Sequence, residues 1–169
     1  HLVTTVSQHH IYGFLFGICL PFTLGVPFRR TRIEFPEDFE KLDDDRYIII
    51  ATPAFLKRTV ESKDRLPLDN TWIFTSGGAV SPELAVSTEK VFGFCPLEVY
   101  GSTETSGIAY RQQNKDNLVW TPFDNAKVWK GDDGCLRIIS PYIKNPEGFA
   151  TADLVEFTGD GQKFLLKGR

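Results

Sequence analysis

The sequence predicts an α/β fold: a parallel sheet with flanking helices, followed by a small antiparallel β subdomain. Three observations carry the prediction. Strand-like and helix-like runs alternate from Tyr47 to Tyr100, the pattern of parallel strands joined by helical crossovers. Two of those strands run into small-residue turns, Ser76-Gly77-Gly78 and Gly101-Ser102. After about Gln113 no convincing helix follows, and short apolar runs are separated by Gly/Asp turns. The expected division is therefore residues 1–113 and 114–169.

In chain order, Phe14 to Leu20 reads as a helix and Thr23 to Phe28 as a strand. Arg29, Arg30 and Arg32 suit a solvated edge or an anion site. Pro36 to Leu42 begins acidic and ends near Lys41, the charge order of a short helix. Tyr47-Ile48-Ile49-Ile50-Ala51 is a β-branched apolar run, hence a buried strand. Thr52-Pro53 then forms a helix cap and first residue, with Phe55, Leu56 and Val60 in the helix. Thr71 to Thr75 is the next strand. Ser81-Pro82 opens a helix that runs to about Phe92. Pro96 to Tyr100 is the third strand of the series. The later strands are expected around Val119–Thr121, Ala126–Trp129, Leu136–Ile139, Asp153–Phe157 and Phe164–Leu166.

Composition narrows the classes of function. The chain has 169 residues, 41% of them hydrophobic and 13% aromatic, with 14 Phe. That supports a sizeable core and excludes intrinsic disorder. A net charge of −3 without a basic face argues against nucleic-acid binding. Three widely spaced cysteines, Cys19, Cys95 and Cys135, form neither a disulfide framework nor a zinc pattern, so a reducing cytoplasm is expected. The apolar stretch Phe14 to Phe28 is too short for a membrane span, and Pro21 and Pro27 interrupt it. No basic segment precedes it, as a secretory leader would require. The chain starts at His1, contains no Met and stops at Gly168-Arg169 after a strand-like run. A piece of a longer protein is the expectation.

Leu97-Glu98-Val99-Tyr100-Gly101-Ser102-Thr103-Glu104-Thr105 is the candidate active centre. It reads as a buried strand stopping at a glycine turn, with hydroxyls and a carboxylate at adjacent positions. In open parallel sheets, ligands sit beyond the carboxyl ends of the strands. Parallel strands would then set Ser76-Gly77-Gly78 and Gly101-Ser102 on opposite walls of one cleft. Neither glycine turn is a P-loop, because no Gly-Lys-Ser/Thr follows, and neither is a dinucleotide fingerprint.

The order of motifs is more specific than any one of them. His9-His10-Ile11-Tyr12-Gly13 comes first, then a strand into Ser76-Gly77-Gly78-Ala79, then Glu98-Val99-Tyr100-Gly101-Ser102-Thr103-Glu104-Thr105. Thr151-Ala152-Asp153, with the aspartate heading a strand, and the terminal Gly168-Arg169 complete the set. This order resembles the adenylate-forming (AMP-binding) superfamily of acyl-CoA synthetases, firefly luciferase and peptide-synthetase adenylation domains. The resemblance covers nearly the whole chain. It implies the later portion of that family's large N-terminal domain, in an acyl-CoA or acyl-carrier-protein synthetase-like enzyme.

The resemblance also implies roles. Tyr100 would stack on adenine, flanked by Glu98, Val99, Gly101 and Ser102, with Gly77, Gly78 and Ala79 as the facing wall. Thr103 would donate to the α-phosphate of ATP, and Glu104 would ligate Mg²⁺. Asp153 and Arg169 would bind ribose. His10 and Tyr12 would border the acyl pocket, with Gly101 and Thr105 at its floor. The implied activity is formation of an acyl-adenylate from a small-molecule carboxylic acid, as in fatty acid metabolism, followed by transfer to coenzyme A or to phosphopantetheine on an acyl carrier protein. The chemistry suits these residue types: an anion must attack an anionic phosphorus, so a metal-binding carboxylate and hydroxyl donors are needed there.

Departures from the family pattern matter. Its Gly-, Ser- and Thr-rich phosphate loop and its lysine-bearing C-terminal domain are absent from this sequence, so the chain alone is expected not to catalyse adenylation. Where the family usually reads Thr-Gly-Asp, this sequence has Thr151-Ala152-Asp153, and alanine adopts positive φ at a cost. A non-catalytic nucleotide-binding or regulatory module of the same fold, and an unrelated α/β binding domain, are the alternatives.

Overall fold

The computed structural model describes residues 1–42, 46–66, 68, 70–113, 118–159 and 161–168. The chain divides into two compact units, His1–Glu98 with Gln112–Lys115 and Val99–Arg111 with Asp116–Arg169.

The first unit is the α/β part. Its strands are β1 (Leu2–Thr4), β2 (Ile48–Ala51), β3 (Trp72–Thr75) and the start of β4 (Leu97–Ser102). They lie in the order β1-β2-β3-β4, all parallel. The Ile48-Ile49-Ile50 run sits mid-sheet because β-branched residues fill a pleated surface covered on both faces, and Ile49 and Ile50 are fully buried. Helix α3 (Pro53–Ser62) starts where expected: the Thr52 hydroxyl accepts the Phe55 N–H at 3.3 Å, with proline in the first turn. Helix α4 (Pro82–Phe92) repeats the arrangement, with Ser81 accepting from the Leu84 N–H at 3.2 Å. Phe39, Phe55, Leu56, Val91 and Phe92 pack with Ile49 and Ile73 in the main core of this unit.

Two elements differ from expectation. Thr23–Phe28 is not a strand. The helical stretch beginning at Ile11 continues through α1 (Ile11–Phe14), a π-helical turn (Leu15–Cys19) and α2 (Leu20–Leu24). Gly25, in the left-handed region at φ 64°, ends it. The end of Thr23–Phe28 reaches the sheet through a parallel bridge between Phe28 and Leu2, with the Pro27 carbonyl accepting the Leu2 N–H at 2.8 Å. The widened turn precedes Pro21, which lacks the N–H that would close on Gly17. Strand β1 was not foreseen; Pro36–Lys41 forms a 3-10 helix in place of the expected short helix.

In the second unit, β4 continues through Gly101 and Ser102 and pairs with β5 (Ser106–Gln112), which pairs antiparallel with β6 (Thr121–Pro122). The expected glycine turn is therefore strand. The reversal falls at Thr103–Thr105, because β5 approaches Gly101 so closely that a Cβ there would lie 2.1 Å from the Ser106 carbonyl oxygen. A separate antiparallel sheet has the order β10-β9-β8-β7, built from β7 (Lys127–Lys130), β8 (Cys135–Ile139), β9 (Phe149–Phe157) and β10 (Phe164–Gly168). Ile108, Trp120, Leu136, Ile138, Val155 and Phe164 form the core of this unit. No helix occurs in it among the described residues, and no described helix is long and apolar enough to cross a membrane.

Candidate functional site

A cleft of about 330 Å³ opens in the second unit, lined by Tyr100, Gly101, Ser102, Glu104, Thr105, Ile108 and residues 149–153. Six predicted site residues, Tyr100, Gly101, Ser102, Glu104, Thr105 and Asp153, thus share one concavity. They come from β4, from the turn after it and from β9.

Tyr100 is half-buried. Its ring packs at 5.5 Å from Trp120 and 6.2 Å from Phe164, and its hydroxyl donates to the Asp153 carboxylate. Asp153 does not head a strand as expected; it lies within β9, at a bulge. Cys135 is opposite Leu154 and Arg137 is opposite Ala150, so Leu136 alone faces Thr151, Ala152 and Asp153. Such insertions re-aim side chains. The Thr151 hydroxyl fixes this one: it donates to the Leu136 carbonyl at 3.1 Å and accepts the Asp153 N–H at 3.1 Å. Ala152 is exposed and is not among the residues with positive φ. The strain expected of alanine here is therefore absent.

The turn after β4 is closed by its own hydroxyls. Thr105 is 1% exposed. Its Oγ1 accepts the Ser102 N–H at 3.1 Å, lies 3.1 Å from the Ser102 hydroxyl and donates to the Ser106 carbonyl. The Thr105 N–H in turn donates to the Ser102 hydroxyl at 3.3 Å. Thr103 and Glu104 are left exposed at the tip. A hydrogen bond from the Ser102 hydroxyl holds the Glu104 carboxyl below the usual carboxylate range, with a smaller contribution from its own backbone. Glu104 is therefore anionic at neutral pH. No cluster of three or more His, Cys, Asp or Glu occurs among the described residues. One carboxylate with neighbouring hydroxyls suits Mg²⁺ that also takes oxygen ligands from substrate phosphates.

The remaining predicted residues lie elsewhere. Gly77, Gly78 and Ala79 form the exposed turn between β3 and α4 in the first unit. Glu98 is 3% exposed and is used internally: it accepts the Val80 N–H at 3.4 Å and a Gln113 side-chain N–H at 2.7 Å. Val99 is a buried strand residue. His10 is exposed at the start of α1. The Tyr12 ring instead packs on Phe16 at 5.0 Å, with Phe16 on Phe74 at 5.5 Å. Burial raises the Tyr12 phenol far above the ordinary tyrosine range, opposed by the backbone at Ala51. Among the described residues the sealed hydroxyl has no well-formed hydrogen-bond partner. Arg169 lies outside the described residues.

Sequence reasoning missed Thr151 and Gln113. Thr151 carried a local signal, a threonine two residues before the aspartate it braces. Gln113 carried none, because its partners are 15 and 33 residues away.

No family model matches the chain. Over 158 residues it is 29% identical to a 4-coumarate–CoA ligase of Halorhodospira halophila, covering 88% of this chain and 35% of that one. Over 115 residues it is 27% identical to a 4-coumarate–CoA ligase of Cereibacter sphaeroides, covering 68% and 28%. The chain thus spans about a third of the length of these curated relatives. Among solved structures, apo MatB from Rhodopseudomonas palustris superposes with a TM-score of 0.81 at 14% identity, covering 99% of this chain and 40% of that one. The ATP-bound form of the same protein gives 0.77 at 15% identity, with 99% and 40% covered. A singly substituted E. coli MenE with bound OSB-AMS gives 0.78 at 19% identity, with 99% and 39% covered.

Proposed function

Since the chain is of the AMP-binding, acyl-CoA synthetase-like superfamily, we propose that the protein carrying it is an ATP-dependent carboxylic acid ligase. The observation that supports this most is the sharing of one cleft by Tyr100, Asp153 and Glu104. They supply an aromatic face, a carboxylate and an anionic carboxylate tip within one concavity of about 330 Å³.

In the proposed reaction a carboxylate oxygen of the acid attacks the α-phosphorus of ATP, and pyrophosphate leaves. A thiol, on coenzyme A or a phosphopantetheine, then attacks the acyl carbon and expels AMP. The Tyr100 ring face takes the base, since stacking tolerates any π surface. Asp153 accepts from the ribose hydroxyls, as carboxylates do in dinucleotide sites. The Thr103 hydroxyl donates to the α-phosphate, and Glu104 holds the cation. Bound Mg²⁺ would offset the charge repulsion between the acid and the triphosphate.

The assignments of Gly77, Gly78 and Ala79 to the nucleotide and of Arg169 to the ribose rest on family resemblance. On the acid side, the assignments of His10, Tyr12, Gly101 and Thr105 rest on family resemblance. The Thr105 hydroxyl is spent within its own turn, so its contribution is to shape the floor. The sealed Tyr12 hydroxyl favours a packing contribution from its ring. Ala152 fits its bulge with negative φ and so gives a non-catalytic reading no support.

The test is pyrophosphate release by the natural protein with MgATP, coenzyme A and a panel of short, long-chain and aryl acids. Acid-dependent release with a matching acyl-CoA product is expected. Nucleotide binding with no release under any acid would indicate a sensor instead.

A further inference from the structure

The turn after β3 is held by an internal clasp whose parts are far apart in sequence. Val80, 3% exposed, lies between the Gly77–Ala79 turn and the Ser81 cap of α4. Both polar groups of Val80 are taken. Its N–H donates to Glu98 Oε2 at 3.4 Å, and its carbonyl accepts Gln113 Nε2–H at 2.7 Å. The same Gln113 amide donates to Glu98 Oε1 at 2.7 Å. The Val80 carbonyl can only accept, so the Gln113 amide nitrogen must face it. Gln113 is anchored in turn. Its backbone carbonyl accepts from the Cys95 thiol at 2.8 Å, and the neighbouring Gln112 side chain donates to the Cys95 backbone carbonyl at 2.6 Å. Burial, with smaller contributions from Glu89 and Glu98, pushes the Cys95 thiol up to about 11. It therefore keeps its proton, and its donor role, at neutral pH.

Glu98, Gln113 and Cys95 are all buried. A carboxylate and a primary amide in that setting are costly unless paired. If only helix α4 needed fixing, its Ser81 cap would suffice. What the clasp adds is a defined peptide plane at the end of an otherwise exposed glycine turn. It also fixes Glu98, two residues before Tyr100 on the same strand.

Resting on the nucleotide reading above, we propose that Gln113 and Glu98 are positioning residues for ATP binding. They lock the Val80 peptide and thereby set the Gly77–Ala79 backbone, which the nucleotide reading assigns to ATP. Neither side chain touches ATP in this account.

The test is MgATP affinity by calorimetry in the natural protein, for Gln113→Leu and Glu98→Gln beside the unsubstituted protein. It is made well below each midpoint of thermal unfolding, with amide exchange followed at residues 77–80. Gln113→Leu should weaken MgATP about 10-fold and expose the Val80 amide to exchange, while amides of β2 stay protected. Glu98→Gln should act in the same direction, because an amide there offers one acceptor to the two donors that Glu98 receives, the Val80 N–H and the Gln113 side chain, and it serves where Gln113→Leu does not fold. Lowered thermal stability with unchanged MgATP affinity in the folded variants would overturn the proposal and leave the nucleotide reading intact. Absence of MgATP binding by the unsubstituted protein would overturn the nucleotide reading, and this one with it.

Discussion

The Tyr100 hydroxyl donates to the carboxylate of Asp153, 53 residues away in sequence, and both side chains line the same cleft. One side chain thus has two separable functions. Its ring supplies a face for a base, and its phenol holds the carboxylate proposed for ribose. Tyr100→Phe keeps the first and removes the second. Calorimetry should show ATP weakened about 10-fold, the scale of one hydrogen bond to a charged group. Preference for ATP over 2′-deoxy-ATP should shrink. Unchanged discrimination would mean that Asp153 does not read the ribose.

Thr151→Val tests the bulge that presents Asp153. The substitution keeps the shape but removes the hydroxyl that links the Leu136 carbonyl to the Asp153 N–H. Denaturant unfolding should show a loss of about 1–2 kcal/mol for two such bonds, and the ribose preference should fall as for Tyr100→Phe. A stability loss with intact ribose preference would separate the bulge from recognition.

Gly101→Ala addresses the hairpin directly. An added Cβ would meet the Ser106 carbonyl oxygen at 2.1 Å, which is backbone and cannot rotate away. The expected cost is about 1–3 kcal/mol or more, read as a lowered midpoint of thermal unfolding. A variant as stable as the parent would show that β4 and β5 do not approach this closely.

The Glu104 carboxyl is held below its ordinary range by the Ser102 hydroxyl, so it stays charged as pH falls. Stabilisation from that bond is complete above the unfolded carboxyl range, about 4.3 for glutamate, and is lost only as pH drops through the lower folded value. Mg²⁺-dependent ATP binding should therefore be flat, as far as this group decides it, from pH 8 to about pH 5. Ser102→Ala should shift the acid limb upward. Titration of Mg²⁺ against ATP binding across that range checks both statements.

Much of the first unit was legible because local signals agreed with one another. The Ile48–Ile50 run, the Thr52-Pro53 cap and the Ser81-Pro82 cap each point to the element observed. Thr23–Phe28 misled because Leu24, Val26 and Phe28 alternate like a strand, whereas Gly25 caps a helix that began at Ile11. Leu2–Thr4 is too short to carry a period, and its pairing with Ile48–Ile50 is a tertiary fact. At the candidate site, residue types were legible but their settings were not. Gly101 looked like a turn residue, yet it is strand, with glycine required by the approach of Ser106. Ala152 looked like a strained substitution, yet a bulge opposite Leu136 accommodates it without positive φ. Glu98 looked like part of a ligand motif, and only its buried bonds to Val80 and Gln113 show what its side chain is doing.

The most direct test of adenylation follows the oxygen atoms. An acid that supports turnover is supplied with ¹⁸O in its carboxylate, together with MgATP and coenzyme A, and the products are examined by mass spectrometry. Attack on the α-phosphorus leaves one carboxylate oxygen on that phosphorus when the thiol displaces AMP, so one ¹⁸O is expected in AMP and none in pyrophosphate. Label in inorganic phosphate, with ADP as the nucleotide product, would place the attack on the γ-phosphorus and contradict adenylation.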